Sequence, residues 1–237
     1  MLPRIPSRHS GHPLRFIVLP GLDGTGLALQ TFAAELRALG PVEVRSYPVE
    51  GPQDYADLAA AMAPVGAGDV LVAESFGGPL AIALAARAAQ PPRALVLCAS
   101  FATSPRPGLR PWATLLRRLP LPAPPRRLAA AALFGPWTTP ALNEALGQAL
   151  AVVPMPVLRA RLDAALCVDV RAGLRALRCP LLYLRASADR LVPPTAAATI
   201  ARLRPDAIGV DLAAPHGVLQ VAAPAAADAI ARFLADT

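Results

Sequence analysis

Apolar runs alternate with amphipathic segments through the first part of the chain. Short runs rich in Val, Leu and Ile predict buried strands over residues 15–19, 42–47, 70–73 and 94–98. Apolar residues at helical spacing predict helices over residues 28–39, 55–63 and 79–90. Strands that alternate with helices in this way are typical of an α/β fold, in which a parallel sheet is covered by helices on both faces.

The pattern changes after Ser100 and returns near residue 181. Residues 103–166 contain no strand-like run, and their apolar residues recur at helical spacing, which predicts three or four short helices that cap the sheet. Beyond them, the pattern predicts strands over residues 181–186 and 207–212 and helices over residues 195–203 and 223–234. The sheet should therefore have about six strands, interrupted by one helical segment.

Length, hydropathy and cysteine content exclude several classes of protein. With 237 residues the chain fits one domain with a large core. No apolar run approaches the ~18 residues that a membrane span needs, and residues 1–13 lack the apolar core of a secretory signal. The three cysteines are too far apart for a metal-binding pair or a disulfide framework. We therefore expect a cytoplasmic protein without a metal or another cofactor.

Positive charge is concentrated in one part of the chain. No acidic residue lies between Glu74 and Glu144, a stretch that carries eight of the 23 basic residues, whereas the charges elsewhere nearly balance. Such a one-sided field suits an acidic partner or an anionic substrate, and an ordinary solvated surface is the alternative. Nucleic acid is not expected, because no recognition motif or aromatic-interleaved patch accompanies the charge. The candidates for docking a partner are Arg117, Arg118, Arg126 and Arg127.

Ser75 lies where an apolar strand passes into a helix. The sequence around it is Val-Ala-Glu-Ser-Phe-Gly-Gly, residues 72–78. A serine on such a tight strand-to-helix turn is typical of a nucleophile elbow, in which the turn exposes the hydroxyl. Small residues two positions before and after the serine, here Ala73 and Gly77, let the strand and the helix cross closely. The start of the helix also supplies free N–H groups near the serine.

Acyl transfer by serine needs a base and an acid that orients the base. Of the three histidines, only His216 follows a predicted strand, and Asp189 follows the strand before it. Both should lie beyond the carboxyl ends of the parallel strands, on the same edge of the sheet as Ser75. Glu74 and Asp169 are rival acids, but Glu74 should point away from Ser75, and Asp169 precedes its strand. The sequence thus predicts a triad of nucleophile, base and acid.

Two backbone N–H groups are expected to stabilise the oxyanion of an acyl-transfer intermediate. One is the N–H of Phe76, directly after the nucleophile. The other is the N–H of Leu22, in the glycine-rich loop of residues 20–26 after the first strand. Nucleotide binding by the same loop is a weaker alternative, because its glycine spacing is G-x-x-G-x-G rather than G-x-G-x-x-G.

The chain resembles the α/β-hydrolase superfamily over about residues 14–237. The resemblance is carried by the segments 19–24, 74–78, 189–193 and 215–217. Within the superfamily, the chain is similar to small cytoplasmic carboxylesterases, including the pimeloyl-carrier-protein methyl ester esterases of biotin synthesis. Pro20 departs from the family pattern, in which a histidine is frequent before the oxyanion glycine.

The resemblance implies the organisation and the activity of the protein. It implies an α/β-hydrolase core at residues 1–102 and 167–237 with reduced N-terminal strands, a helical lid at residues 103–166, and a basic surface that docks an acidic acyl carrier protein. The implied activity is hydrolysis of short- to medium-chain acyl esters, with a carrier-linked methyl ester among the candidate substrates. Acyl transfer or thioester hydrolysis on the same triad is the alternative, as is a hydrolase-fold binding protein without activity.

The predicted lid also supplies candidates for the acyl site. Its large apolar side chains should line that site, although a role in the core would explain them equally well. These residues are Trp112, Leu116, Phe134 and Trp137.

Overall fold

Within residues 13–118 and 125–237, which the computed structural model describes, six parallel strands form one central sheet. The strands are β1 (Arg15–Leu19), β2 (Val42–Val44), β3 (Asp69–Glu74), β4 (Ala94–Cys98), β5 (Leu181–Ala186) and β6 (Ile208–Leu212). Their order in the sheet is β2-β1-β3-β4-β5-β6, and every neighbouring pair is parallel. The predicted α/β fold with a parallel sheet is confirmed.

Helices cover both faces of the sheet. They are α1 (Gln30–Arg37), α2 (Tyr55–Ala61), α3 (Gly77–Arg87), α4 (Arg110–Arg118), α5 (Arg126–Leu133), α6 (Pro140–Val152), α7 (Met155–Cys167), α8 (Arg171–Ala176), α9 (Pro194–Leu203), α10 (Val218–Val221) and α11 (Ala223–Ala235). The helices α1, α10 and α11 pack on one face, and α2, α3, α8 and α9 pack on the other. Among the described helices, none has both the length and the apolar character that crossing a bilayer requires.

Alternate side chains of the central strands enter two apolar cores. In β3, Val70 and Val72 belong to the core under α1 and α11, whereas Leu71 and Ala73 belong to the core under α2 and α3. All six residues of β3 are buried. A strand covered on both faces favours apolar side chains on both, which is why the four residues between Asp69 and Glu74 form a continuous apolar run in the sequence. The buried strands hold the loops at their carboxyl ends in fixed relative positions.

Several elements differ from the sequence prediction at their ends, and α3, for example, ends at Arg87 rather than at residue 90. The strand predicted over residues 42–47 ends at Val44, because the N–H of Tyr47 donates to the carbonyl of Gly24 in a loop and not to a strand. The helix predicted over residues 28–39 begins as a 3₁₀ turn and becomes α-helical only at α1.

A helical insertion, residues 99–180, joins β4 to β5. In its described part, four α-helices lie between residues 103 and 167, in agreement with the three or four predicted there, and α8 follows outside that range. Helix α4 packs against α7, and α5 packs against α6. An isolated bridge between Thr103 and Asp169 joins the two ends of this segment. The segment between Thr103 and Asp169 therefore begins and ends at the carboxyl edge of the sheet, and residues 170–180, which include α8, lead back to the start of β5.

Candidate active site

The turn between β3 and α3 holds Ser75 in a strained conformation. Its φ of 51° lies in the left-handed region, which residues other than glycine rarely adopt. The Ser75 N–H donates to the carbonyl of Cys98 at 2.9 Å. Its carbonyl accepts from the N–H of Gly78 at 3.0 Å and from the hydroxyl of Ser100 at 2.7 Å. Strain of this kind, about 1–3 kcal/mol, persists only where the surroundings enforce it, and these bonds do so.

Close packing at the turn depends on two glycines. A Cβ at Gly77 would lie 2.7 Å from the carbonyl oxygens of Leu19 and Pro20, so glycine lets α3 cross β1 closely. A Cβ at Gly78 would lie 1.8 Å from the Oγ of Ser100. Ser100 was not singled out from the sequence, although its place directly after a buried strand was an available signal.

Ser75, His216 and Asp189 form one continuous chain of hydrogen bonds. Asp189 lies in the loop after β5 and His216 in the loop after β6, at the same edge of the sheet as Ser75. The His216 Nδ1–H donates to Asp189 Oδ2 at 2.8 Å, which leaves Nε2 as the acceptor for the Ser75 hydroxyl, also at 2.8 Å. The structure therefore brings together the nucleophile, base and acid that were predicted from the sequence. The side chains of His216 and Asp189 are each only 6% exposed, so water competes little for these bonds.

Backbone hydrogen bonds within its own loop orient the carboxylate of Asp189 toward His216. Oδ1 accepts from the N–H groups of Leu191 and Val192 at 2.8 and 2.9 Å, so Oδ2 faces the imidazole. This arrangement favours the tautomer that carries its proton on Nδ1. The rival acid Asp169 instead pairs with Arg171 at the surface.

Glu74, the other rival acid, is buried beside the site and turned away from Ser75. Its Oε1 accepts from the N–H of Leu219 at 3.3 Å, and its Oε2 accepts from the side-chain amide of Gln220 at 2.7 Å. Burial raises the pKa of Glu74 to about 7, although the Gln220 bond, the charge of His216 and the Leu219 bond oppose the rise. Glu74 thus fastens β3 to α10, the helix that directly follows the histidine loop.

Within the described residues, the N–H groups of Leu22 and Phe76 donate to no protein acceptor. Phe76 precedes the first turn of α3, where helix N–H groups are free and the helix dipole is positive. The loop after β1 lies against the serine, since a Cβ on Gly21 would be 4.0 Å from the Ser75 Cβ. These are the two donors predicted for an oxyanion hole: Phe76 directly follows the serine in the chain, and Leu22 follows Gly21, which lies against it.

Two residues that hold the loop after β1 were not predicted from the sequence. Tyr47 is buried, and its hydroxyl donates to the carbonyl of Pro20 at 2.6 Å. Arg161, in α7 of the insertion, is fully buried and donates to the carbonyls of Leu22 and Asp23. Neither residue has a local sequence signal, because Tyr47 continues an apolar pattern and Arg161 is one arginine among many.

A cavity of about 190 Å³ lies where the insertion meets the loops of Asp189 and His216. Its lining residues are Ala132, Gly135, Pro136, Trp137, Ala188, Arg190 and Pro215. The lining is mostly apolar, and Arg190 is its charged residue. Trp137, predicted for an acyl site, lines this cavity.

The other residues predicted for the acyl site lie in different surroundings. Phe134 is buried against the histidine loop, since a Cβ on Gly217 would lie 2.5 Å from its ring. Trp112 is 58% exposed on α4, and the side chain of Leu116 lies outside the described residues. Phe134 therefore supports the loop of His216, and Trp137 is the candidate that contacts the cavity.

The arginines predicted for docking a partner are only partly described. Arg126 and Arg127 lie at the start of α5 and are exposed, and Arg126 approaches Glu144 at 3.8 Å. The side chains of Arg117 and Arg118 lie outside the described residues. The described part of this basic surface is open to solvent.

Known proteins resemble this chain in sequence pattern and in fold. A family model, described as the Alpha/beta hydrolase family, matches residues 7–232. No curated protein matches the sequence. Similar solved structures include the enol-lactonase from Burkholderia xenovorans, which is 19% identical with a TM-score of 0.78 over 96% of this chain and 93% of that one. A thermophilic esterase from Thermogutta terrifontis is 22% identical with a TM-score of 0.77, over 96% and 91% of the two chains. An esterase from Rhodococcus is 20% identical with a TM-score of 0.69, over 94% and 90%.

Proposed function

Because this chain belongs to the alpha/beta hydrolase family, we propose that it is a serine hydrolase that cleaves carboxylic esters. The observation that carries the proposal is the chain of contacts from Asp189 through His216 to Ser75, with 2.8 Å at each step. A serine hydroxyl is a weak nucleophile until an adjacent base removes its proton. Here the base and the acid that orients it form one buried unit next to a serine on a strained turn.

Acylation follows from this geometry. His216 Nε2 takes the hydroxyl proton of Ser75 while Oγ attacks the carbonyl carbon, and Asp189 stabilises the imidazolium through its Nδ1–H. The oxyanion of the tetrahedral intermediate accepts hydrogen bonds from the N–H groups of Leu22 and Phe76. His216 then gives its proton to the departing alkoxide, and the alcohol leaves an acyl group on Ser75.

Deacylation repeats the sequence with water. His216 takes a proton from water as the hydroxide adds to the acyl carbon. Collapse of this second intermediate expels the Ser75 oxygen, which regains its proton from His216, and a carboxylic acid departs. Acyl transfer to another acceptor, or hydrolysis of a thioester, would pass through the same acyl-enzyme and is the alternative. Product analysis with added alcohol acceptors separates these activities.

We propose short- to medium-chain acyl groups as the substrate class. The cavity beside the histidine loop measures about 190 Å³ and is lined by Trp137 and other apolar residues. Sites for drug-sized ligands occupy about 300–1,000 Å³, so this cavity suits a smaller chain. In this proposal the insertion is the lid, because residues from α5 and the turn after it form one wall of the cavity.

We also propose that the ester is presented by an acidic acyl carrier protein, as in the methyl ester step of biotin synthesis. The support is the basic surface that begins at Arg126 and Arg127, close to the residues that line the cavity. Charge reversal at both arginines should raise the KM for a carrier-bound ester several-fold and leave hydrolysis of a small free ester unchanged. Equal KM values for the carrier-bound ester before and after reversal would exclude docking at this surface.

The function is tested with p-nitrophenyl esters from acetate to palmitate. Ser75→Ala should lower kcat by about 10⁴-fold or more and leave thermal unfolding close to that of the wild type. Ser46→Ala, which removes the hydroxyl of an exposed serine, is the matched control and should retain full activity. A fluorophosphonate probe should label the wild type and the control but not Ser75→Ala. Hydrolysis that survives in Ser75→Ala would refute the proposal.

A further inference from the structure

Arg161 is, by volume, the largest fully buried side chain of the described residues. It belongs to α7, in the insertion, yet its guanidinium reaches the loop after β1. Burying a positive charge is costly unless hydrogen bonds replace its hydration. An arginine in this place therefore needs a dense set of acceptors around it.

The acceptors around Arg161 are all neutral oxygens. Nη1 donates to the carbonyls of Leu22 and Asp23 at 3.2 and 2.5 Å. Nη2 donates to the carbonyl of Pro48 at 3.0 Å, and Nε donates to the side-chain oxygen of Gln53 at 2.9 Å. Burial lowers the pKa of the guanidinium, as expected for a charge held by dipoles in place of a carboxylate. Three of the four bonds go to backbone, so the side chain joins separate loops of the main chain.

The result is a loop in which every carbonyl oxygen of residues 20–24 is bonded within the protein. Tyr47 supplies two of these donors, Arg161 supplies two, and a turn bond within the loop supplies the fifth. Because all five carbonyls are held, the peptide planes between them have little freedom to rotate. The N–H of Leu22 lies among these planes and has no acceptor in the described part of the protein. The bonds therefore fix the direction of a free donor beside Ser75.

The loop is also shaped to fit the guanidinium. Gly24 has φ +69°, and a Cβ at that position would lie 2.5 Å from Nη1 of Arg161 and 2.5 Å from the ring of Tyr47. The guanidinium carbon lies 5.4 Å from the centre of the same ring. Glycine is required at this point both by the backbone conformation and by the side chains that occupy the space.

We propose that Arg161 is a positioning residue for the oxyanion hole, through which the insertion holds the Leu22 N–H in its productive direction. The inference rests on the proposed function, because it assigns a role in stabilising the oxyanion. Without the guanidinium, the carbonyls of Leu22 and Asp23 lose their donors, and the loop can turn the Leu22 N–H away from the serine. A donor that acts mainly on the transition state affects kcat more than KM.

The experiment compares Arg161→Met with Arg204→Met as the matched control. Arg204 is also buried, at 7% exposed, and donates to the carbonyls of Leu177 and Cys179 at 3.2 and 2.9 Å, although unlike Arg161 it also pairs with a carboxylate, that of Asp206. Methionine keeps the length of the side chain without its charge. We expect Arg161→Met to lower kcat by about 10- to 100-fold, with a KM within about threefold of wild type. The loss should not exceed the ~10²–10³-fold effect of removing an oxyanion donor altogether, because the Leu22 N–H is still present in the variant. Arg204→Met should be destabilised to a similar degree but keep the wild-type kcat.

Two further readouts separate positioning from general damage. An alkyl trifluoromethyl ketone, which adds to the serine and forms an oxyanion, should bind Arg161→Met more weakly by the same factor as kcat falls. The pH midpoint of kcat/KM should not move, because the contacts of His216 are unchanged. If Arg161→Met does not fold, Arg161→Lys is assayed instead, and its single charged amine should give an intermediate kcat and ketone affinity.

The outcomes distinguish the inference from the function on which it rests. A wild type whose turnover depends on Ser75, together with an Arg161→Met or Arg161→Lys variant of unchanged kcat and ketone affinity, would overturn the positioning role alone. An equal loss of kcat in Arg204→Met would overturn it as well, since any buried arginine would then have the same effect. A wild type without Ser75-dependent turnover would overturn both proposals.

Discussion

Replacing Glu74 by glutamine should stabilise the protein, and increasingly so as the pH rises from about 5 to about 8. Glu74 is 4% exposed, and burial raises its pKa from an ordinary 4.5 to about 7. The folded protein therefore holds the Glu74 proton more tightly than the unfolded chain does. Between these two pKa values, unfolding releases a proton, so the free energy of unfolding falls as the pH rises.

The magnitude follows from the two pKa values. A rise from 4.5 to about 7 corresponds to about 3 kcal/mol. Below about pH 4.5, Glu74 is protonated in both the folded and the unfolded protein, and its contribution to the free energy of unfolding is complete. Above about pH 7, Glu74 is ionised in both, and that contribution is lost. Glutamine is uncharged at every pH. The difference in the free energy of unfolding between Glu74→Gln and the wild type should therefore grow by up to about 3 kcal/mol across this pH range, in favour of the variant.

Glutamine can also replace the contacts of the carboxyl. Its side-chain oxygen can accept from the N–H of Leu219, as Glu74 does. Its amide can donate to the Oε1 of Gln220, once that side chain rotates, and this oxygen is buried without a partner. The comparison of Glu74→Gln with the wild type therefore isolates the effect of the carboxylate charge, because the packing at position 74 changes little.

The assay is urea unfolding of the wild type and Glu74→Gln over a series of pH values, at constant ionic strength. Comparing the two proteins at each pH cancels the titration of their other groups. Glu144→Gln, in which the replaced side chain is 65% exposed, is the control and should change the free energy of unfolding by no more than about 0.5 kcal/mol. A difference between Glu74→Gln and wild type that stays constant with pH, or that favours the wild type at high pH, would refute the reasoning.

Three further substitutions test the site. Asp189→Asn should lower kcat by about 10⁴-fold without unfolding the protein, because the imidazole loses the partner that fixes its tautomer; a kcat within tenfold of wild type would contradict that role. Gly78→Ala should lower the free energy of unfolding by about 1–3 kcal/mol through overpacking. Adding Ser100→Gly should restore part of the lost free energy in urea unfolding, since it removes the Oγ that the new Cβ would meet at 1.8 Å but also the hydroxyl that donates to Ser75; no recovery would place the strain elsewhere. Trp137→Ala enlarges the 190 Å³ cavity and should move the optimum of the p-nitrophenyl ester series to longer chains; an unchanged optimum would place the acyl chain outside this cavity.

The residues of the candidate site could be predicted from the sequence where they directly follow a strand. Strands β1, β4 and β5 have the bounds expected from their apolar runs. Ser75, Asp189 and His216 each follow such a run, and parallel strands bring their carboxyl ends to one edge. The meeting of these three residues could therefore be predicted without knowing the order of the strands in the sheet.

The insertion was predictable as helical but not in its contacts. Residues at helical spacing indicate which segments form helices, but not the elements against which those helices pack. The contact of Phe134, a candidate for the acyl site, with Gly217 of the histidine loop has no signal in the sequence. The exposed position of Trp112 likewise depends on how α4 lies on α7.

The sequence by itself determined the α/β alternation, the tight turn at Ser75 and the order of Ser75, Asp189 and His216 after their strands, because strand burial and tight turns leave local patterns. Only the tertiary structure decided what supports them. Arg161 contacts a carbonyl 139 residues away in the chain, and Glu74 has its raised pKa because folding buries it. Such contacts depend on which distant surfaces meet, and burial, which sets both the need for bonds and the pKa, exists only after they have met.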